Sequence, residues 1–306
     1  MALLVAILLV ALGTIIAAAM AYDNAMTARR AAATFDFDQA LLTAEGAEAL
    51  AAYGLQQTAN ENSPYIYPGQ PWSQPLPPTE VIHGVMLQAS LQDLQGRFNV
   101  NDLVEQDGNS PNLAAIAVFK RMLTMLELDP KYADYLVDWI DKNSTPLPDG
   151  AEDSVYMELD PPYRTPNLPI TSISELMALP GFTRADFDKL SPYIVALPLG
   201  TKINLCSAKP QLLDALAGVV QFSNDPAEFE KQREAAGTCW PKVSDFLAGV
   251  NPNLRQQLQG LVEQTSSWFR LTSFVGEGST EFAVYTTLFL GPNHQARPVM
   301  RSFTPN

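Results

Sequence analysis

The residues of this 306-residue chain best suited to chemistry are oxygen ligands crowded into one short segment. Asp138 and Asp141 close a helical pattern three residues apart, and Asn143 follows two residues later. Asp149, Glu152 and Asp153 return after Pro146 and Pro148, with Gly150 permitting a sharp turn. Hard oxygen donors at short spacing, without His or Cys nearby, suit a hard cation, and Ca²⁺ takes about 6–8 oxygens at roughly 2.3–2.6 Å. The spacing is not that of the helix–loop–helix calcium loop. In a chain of net charge −14, a solvated acidic loop is the alternative reading.

Other chemistry is poorly served. His83 and His294 are the only histidines, and neither neighbours a nucleophile in a G-x-S-x-G setting. No phosphate loop or dinucleotide glycine motif occurs, so an enzyme is not expected. SELMALPGF (Ser174–Phe182) and NLCSAKPQLLDALAGV (Asn204–Val219) have the form of helix-hairpin-helix units. DNA binding through such hairpins requires clustered Lys and Arg. Here Glu175, Asp186 and Asp188 offset Arg184 and Lys189, and Asp214 stands with Lys202 and Lys209. These units are read as compact packing elements, with no nucleic-acid partner. Cys206 and Cys239 are the only cysteines; as a pair in an exported domain they are expected to form one disulfide, two buried thiols being the alternative.

The elements that carry these residues begin with a stem. Met1 to Tyr22 contains no charged side chain, and about 20 apolar helical residues suffice to cross a bilayer. No basic region precedes the run and no cleavage site ends it, so a retained anchor is expected rather than a signal peptide. Proline is absent as far as Gln57, which predicts one helical rod over 1–57. Past Tyr22, Phe35, Leu41, Leu42, Ala49, Leu50 and Tyr53 recur at helical spacing, predicting a face that packs on a sheet.

Asn60 to Pro78 is proline-rich and predicts an ordered loop; Val81 to Asp93 predicts one strand. A helical block follows: two helices between Leu113 and Asp141, two around Pro180-Gly181, then helices over Ala208–Val219, Pro226–Ala236 and Lys242–Gln264. Ser267–Val275, Glu281–Leu290 and Val299–Phe303 predict an antiparallel meander, with turns at Gly276-Glu277-Gly278 and Gly291-Pro292-Asn293. A lone strand before the helices finds partners only after them. The expected fold is therefore α+β: a stem (1–57), a small sheet domain (58–103 and 266–306) and an inserted helical domain (104–265).

GRFNVNDL (Gly96–Leu103), DWIDKNSTPLPDGAEDSVY (Asp138–Tyr156), PPYRTPNLPITSISELMALPGF (Pro161–Phe182) and KINLCSAKPQLLDAL (Lys202–Leu216), behind a bare apolar N-terminus, together resemble the K-class minor pseudopilins of type II secretion systems. The resemblance spans essentially the whole chain. It implies a pilin-like fold, and calcium bound in the inserted domain, for which Asp138, Asp141, Asn143, Glu152 and Asp153 are the candidate ligands. It also implies an inner-membrane anchor with the bulk in the periplasm, processing by the prepilin peptidase to leave a methylated Met1, and partners among the I, J and H classes. Most pilin-like chains carry glutamate at the fifth mature position; here it is Val5, as in the K class. That glutamate pairs with the terminal amine of a neighbour above, so a subunit lacking it suits the filament tip.

Overall fold

The computed structural model describes residues 1–60, 63, 65–218, 228–277 and 280–305. Its first element, α1 (Ala2–Asn60), is an unbroken helix of 59 residues, roughly 88 Å long at 1.5 Å per residue. Its N-terminal half packs on no other described element: Leu3, Leu4, Val5, Ile7 and Leu8 are all exposed. A helix that is apolar on every side belongs in lipid or in a protein core. The helix is long and apolar enough to cross a membrane.

The rear half of α1 lies on a sheet, but not by the face expected. The buried residues are Ala40, Ala44, Ala47, Glu48, Leu55 and Thr58, whereas Phe35, Leu42, Ala49, Leu50 and Tyr53 are exposed and Leu41 is half-buried. Small side chains let the helix backbone approach the sheet closely, so the stripe of alanines wins the contact. The large apolar residues are left about half a turn away.

The sheet has five antiparallel strands in the order β1 (Leu76–Ile82), β2 (Val85–Asp93), β7 (Trp268–Glu277), β8 (Thr280–Leu290) and β9 (Ala296–Ser302). The single strand expected over 81–93 is thus a hairpin, and β1 takes up Leu76–Pro78 from the proline-rich segment. Pro77 and Pro78 cannot donate to a ladder, but an edge strand tolerates them, with a register break between Leu76 and Thr79. β2 pairs with β7 across the whole intervening block, from Val85 opposite Glu277 to Asp93 opposite Phe269. β7 runs through Gly276 and Glu277, two of the three expected turn residues; Gly278 lies outside the described residues. Val85, Leu87, Leu91, Phe269, Leu271, Val275, Val284 and Leu288 alternate onto the α1 side and form one core with Trp72.

A second, larger core is built by residues 98–262. It contains β3 (Phe98–Asn99), α2 (Leu113–Met125), α3 (Lys131–Ile140), α4 (Asp153–Tyr156), α5 (Arg184–Leu190), β4 (Ile194–Val195), β5 (Ile203–Asn204), α6 (Pro210–Ala217), α7 (Glu228–Ala235), α8 (Val243–Gly249), α9 (Pro252–Leu258) and β6 (Val262–Glu263). The helix expected over SISELMAL is a 3₁₀ turn, Ile173–Ala178, started by a capping box of Ser172 and Glu175. The helix expected over Lys242–Gln264 is two, because Asn251 caps a new start with Pro252 in its first turn; the segment then ends in β6. The expected helix starts at Pro226 and ends at Val219 also fall outside the described residues.

GRFNVNDL works as a buried polar strut. Asn99 Oδ1 accepts from Leu197 N at 2.9 Å. Asn101 Nδ2 donates to Ile170 O and Leu197 O at 2.9 and 2.8 Å, and its Oδ1 accepts from Ile170 N. The two cores meet at Asp93. Its carboxylate accepts from Gln95 N at 2.8 Å, Asn204 Nδ2 at 2.9 Å and Ser266 Oγ at 2.6 Å, and from Ser207 Oγ. Beside it, a Cβ on Gly96 would lie 2.5 Å from Ser207 O, so only glycine lets these two turns approach.

Candidate metal centre

Helix α3 delivers Asp138 and Asp141 at its C-terminal end, where the macrodipole disfavours negative charge. Both are buried, as is Glu152, which precedes α4. Both oxygens of Asp138 accept from Leu147 N at 3.2 Å. A Cβ on Gly150 would fall 1.8 Å from Asp138 Oδ2, so the loop can fold over this carboxylate only with glycine there. Burial, reinforced by the charges of Glu152 and Asp141, pushes the Asp138 carboxyl up to about 7. Burial also raises Asp141, and it raises Glu152 with help from the Asp141 charge. Three carboxylates therefore feel one another in a place with little water.

The other candidates are placed differently. Asp141 Oδ1 accepts from Asn143 N at 3.1 Å, and the Asn143 side chain is used in its own turn, accepting from Thr145 N at 2.8 Å. Asp153 turns to Arg164 at 3.0 Å and to the Thr165 amide and hydroxyl, each at 3.1 Å. Asp149 is exposed. Among the described residues no three His, Cys, Asp or Glu side chains are grouped as a metal site in this conformation.

Three buried side-chain oxygens among the described residues nevertheless lack partners, the Tyr156 hydroxyl being one of them. Glu152 Oε1 and Asn167 Oδ1 are buried and accept no hydrogen bond, although such groups are normally satisfied. Asn167 also holds a left-handed backbone, at φ +50°, while its Nδ2 donates to Asn143 O at 3.1 Å. The donor set around the helix end, of carboxylates and orphaned oxygens only, fits a hard divalent cation rather than a thiolate- or imidazole-binding metal. Asn167 was missed in the acidic pattern because it sits 14 residues beyond Asp153 in sequence; the signal was its place in the PPYRTPNLPI segment.

Cys206, after β5, and Cys239, before α8, are bonded to one another. Met1 and Val5 are exposed at the free end of α1.

Comparison with known proteins follows the same lines. A family model described as type II secretion system (T2SS), protein K, matches residues 96–199, the span that holds the strut and the acidic loop. The type II secretion system protein K of Klebsiella pneumoniae is 34% identical over 256 residues, covering 81% of this chain and 78% of the relative. That of Pectobacterium carotovorum is 30% identical over 304 residues, covering 94% and 92%. The crystal structure of the GspK-GspI-GspJ complex from enterotoxigenic Escherichia coli contains a chain of the same fold, with a TM-score of 0.77 and 23% identity over 89% of this chain and 98% of that one. With identity and coverage of this order along its length, this chain belongs to the type II secretion system protein K family.

Proposed function

We propose that this protein is a non-enzymatic minor pseudopilin at the tip of a type II secretion pseudopilus. In this reading it is anchored in the inner membrane through α1, with its bulk in the periplasm, and joins I-, J- and H-class partners after processing by the prepilin peptidase. The observation that carries the reading is the two-faced stem. One face, from Ala40 to Thr58, is spent on the protein's own sheet. The opposite face leaves Phe35, Leu42 and Ala49 exposed at seven-residue steps, with Leu50 and Tyr53 beside them. A heptad stripe of this kind is what a second helix packs against. The known GspK-GspI-GspJ assembly supports I and J as the partners. Val5 supports the tip: with no subunit above, no carboxylate is needed to neutralise a neighbour's amine.

The same reading assigns Ca²⁺ to the end of α3. Asp138, Asp141 and Glu152 would hold it, with Asn167 and the Asn143–Asp153 loop closing the site. When bound, the cation supplies positive charge to carboxylates that otherwise face each other without water.

Reconstitution of the full chain with its I-, J- and H-class counterparts tests the assignment. A stoichiometric complex, lost in Leu42→Asp, is expected, and a monomer indifferent to I and J would refute it. Val5→Glu should not admit the protein to internal filament positions, because a buried carboxylate without an amine partner must be desolvated or protonated. Incorporation of that variant along the filament would remove the tip assignment.

A further inference from the structure

The outer face of the sheet, turned away from α1, meets the helical domain in a cleft of about 330 Å³. Leu94, Val195, Leu197 and Trp268 form an apolar patch there. Val299 and Met300 of the edge strand β9 stand at the margin, 50% and 41% exposed. Into this apolar setting the chain places Arg97 and Arg270. Arg270 sits in the middle of the sheet, opposite Gln92 on β2 and Thr287 on β8. Arg97 also lines an adjoining cleft of about 350 Å³ that contains Lys209.

Two cations thus line one cleft and a third the adjoining one, in a chain that has 33 acidic and 19 basic residues. They are costly neighbours. Burial lowers the pKa of Arg97, Arg270 and Lys209, and the charge of Arg97 lowers the other two further. Internal compensation is slight at Arg97, which forms no salt bridge among the described residues and donates to the neutral Oε1 of Gln92 at 3.2 Å. The nearest carboxylate, Asp93, is already occupied by four donors from the junction between the two cores. Lys209 lies over the Tyr193 ring at 5.0 Å. A guanidinium in an apolar cleft binds a carboxylate with defined geometry, because the guanidinium has already shed part of its water and its fork can engage two oxygens.

We propose that this cleft docks a segment of a partner polypeptide in which an Asp or Glu is flanked by apolar residues, the carboxylate meeting Arg97 and the flanks covering Trp268, Val299 and Met300. The surface lies on the sheet face opposite the stem, so the proposal stands independently of stem-to-stem assembly.

Random dodecapeptides displayed on phage, selected on the full chain in nanodiscs, provide the probe. The expected consensus is Asp or Glu between apolar residues. Affinity of a synthetic consensus peptide should fall at least tenfold with Arg97→Gln and less with Arg97→Lys. Replacing the peptide's acid by its amide should cause the same loss in the wild type and little further loss in Arg97→Gln. Arg184→Gln, distant on α5, should bind as the wild type does. A consensus without a carboxylate, or binding insensitive to Arg97→Gln, would overturn the proposal. So would peptide failure alongside Arg97-dependent binding of inorganic phosphate, which would make the cleft a simple anion site. Unchanged melting of each variant separates a lost contact from a lost fold.

Discussion

At the residue scale, the cost of burying charge marks the end of α3 as the place where the proposed cation would act. Asp138, Asp141 and Glu152 are held out of water at a helix end that already disfavours them, and Glu152 Oε1 has no donor. A ligand that binds only the folded state stabilises it by about 2.7 kcal/mol at a hundredfold excess over Kd. Calcium is therefore expected to raise the melting temperature of the metal-free protein by about 5–10 °C, and chelator to reverse this. Asp141→Ala should blunt the difference, and Mg²⁺ should substitute poorly because it demands rigid octahedral geometry. Differential scanning fluorimetry checks all four, and a melting temperature indifferent to calcium would reduce the cluster to an acidic loop. Asp102 gives a separate test. Burial lifts its carboxyl to about 7 even though Oδ1 accepts from Gly200 N at 2.6 Å. Its folded pKa thus exceeds the unfolded value near 3.9, so the folded state binds the extra proton and stability falls as pH rises from about 4 to 7. Asp102→Asn keeps the acceptor and removes the titration. It should gain about 1 kcal/mol relative to wild type at pH 8 and nothing at pH 4, measured by denaturant melts at both pH values.

At the scale of elements, one half-buried ion pair links the stem to the sheet. Glu48, on the sheet-facing side of α1, accepts from Arg301 Nε and Nη2 of β9, each at 2.7 Å, and from Thr286 Oγ1 of β8 at 2.7 Å. Removing one member of a buried pair strands the other charge, at a cost of roughly 3–5 kcal/mol when both are fully enclosed. Arg301 is partly exposed, so Arg301→Ala is expected to destabilise by about 2 kcal/mol. Glu48→Gln, which retains the Thr286 bond, should cost less. Hydrogen exchange should show faster opening of α1 between Ala40 and Thr58 in Arg301→Ala, with β2 and β7 protected as before. Equal loss of protection in all three elements would mean that the pair holds the whole fold rather than the stem.

At the scale of the molecule, two cores are joined by a polar seam around Asp93, and the Cys206–Cys239 bond braces the helical side of that seam. Closing a loop of 33 residues is worth roughly 3–4 kcal/mol by restricting the unfolded chain. Cys206→Ser with Cys239→Ser should lower stability by about that amount while leaving the stem's contact with the sheet in place. Thiol labelling of denatured, unreduced wild-type protein should find no free thiol, and labelling of both cysteines would refute the bond in the exported protein.

Much of this was legible before folding. An uncharged run from Met1 to Tyr22 and a proline-free stretch beyond it dictate a long helix, because no side chain there opposes one. Strand signals placed before and after a helical block require long-range pairing, and β2 on β7 satisfies it. The spacing of Asp138, Asp141 and Glu152 marked a segment whose carboxylates the fold buries close enough to feel one another's charge. Tertiary structure alone decided which stem face meets the sheet: periodicity marks an apolar stripe without naming its partner, and the inconspicuous alanines were the better fit to a flat surface. It also decided that Asp153 pairs with Arg164, that Asn167 comes to the end of α3, and that Arg97 and Arg270 share one cleft. Each of these joins residues far apart in the chain or facing alternative neighbours, and local propensity does not report such distances.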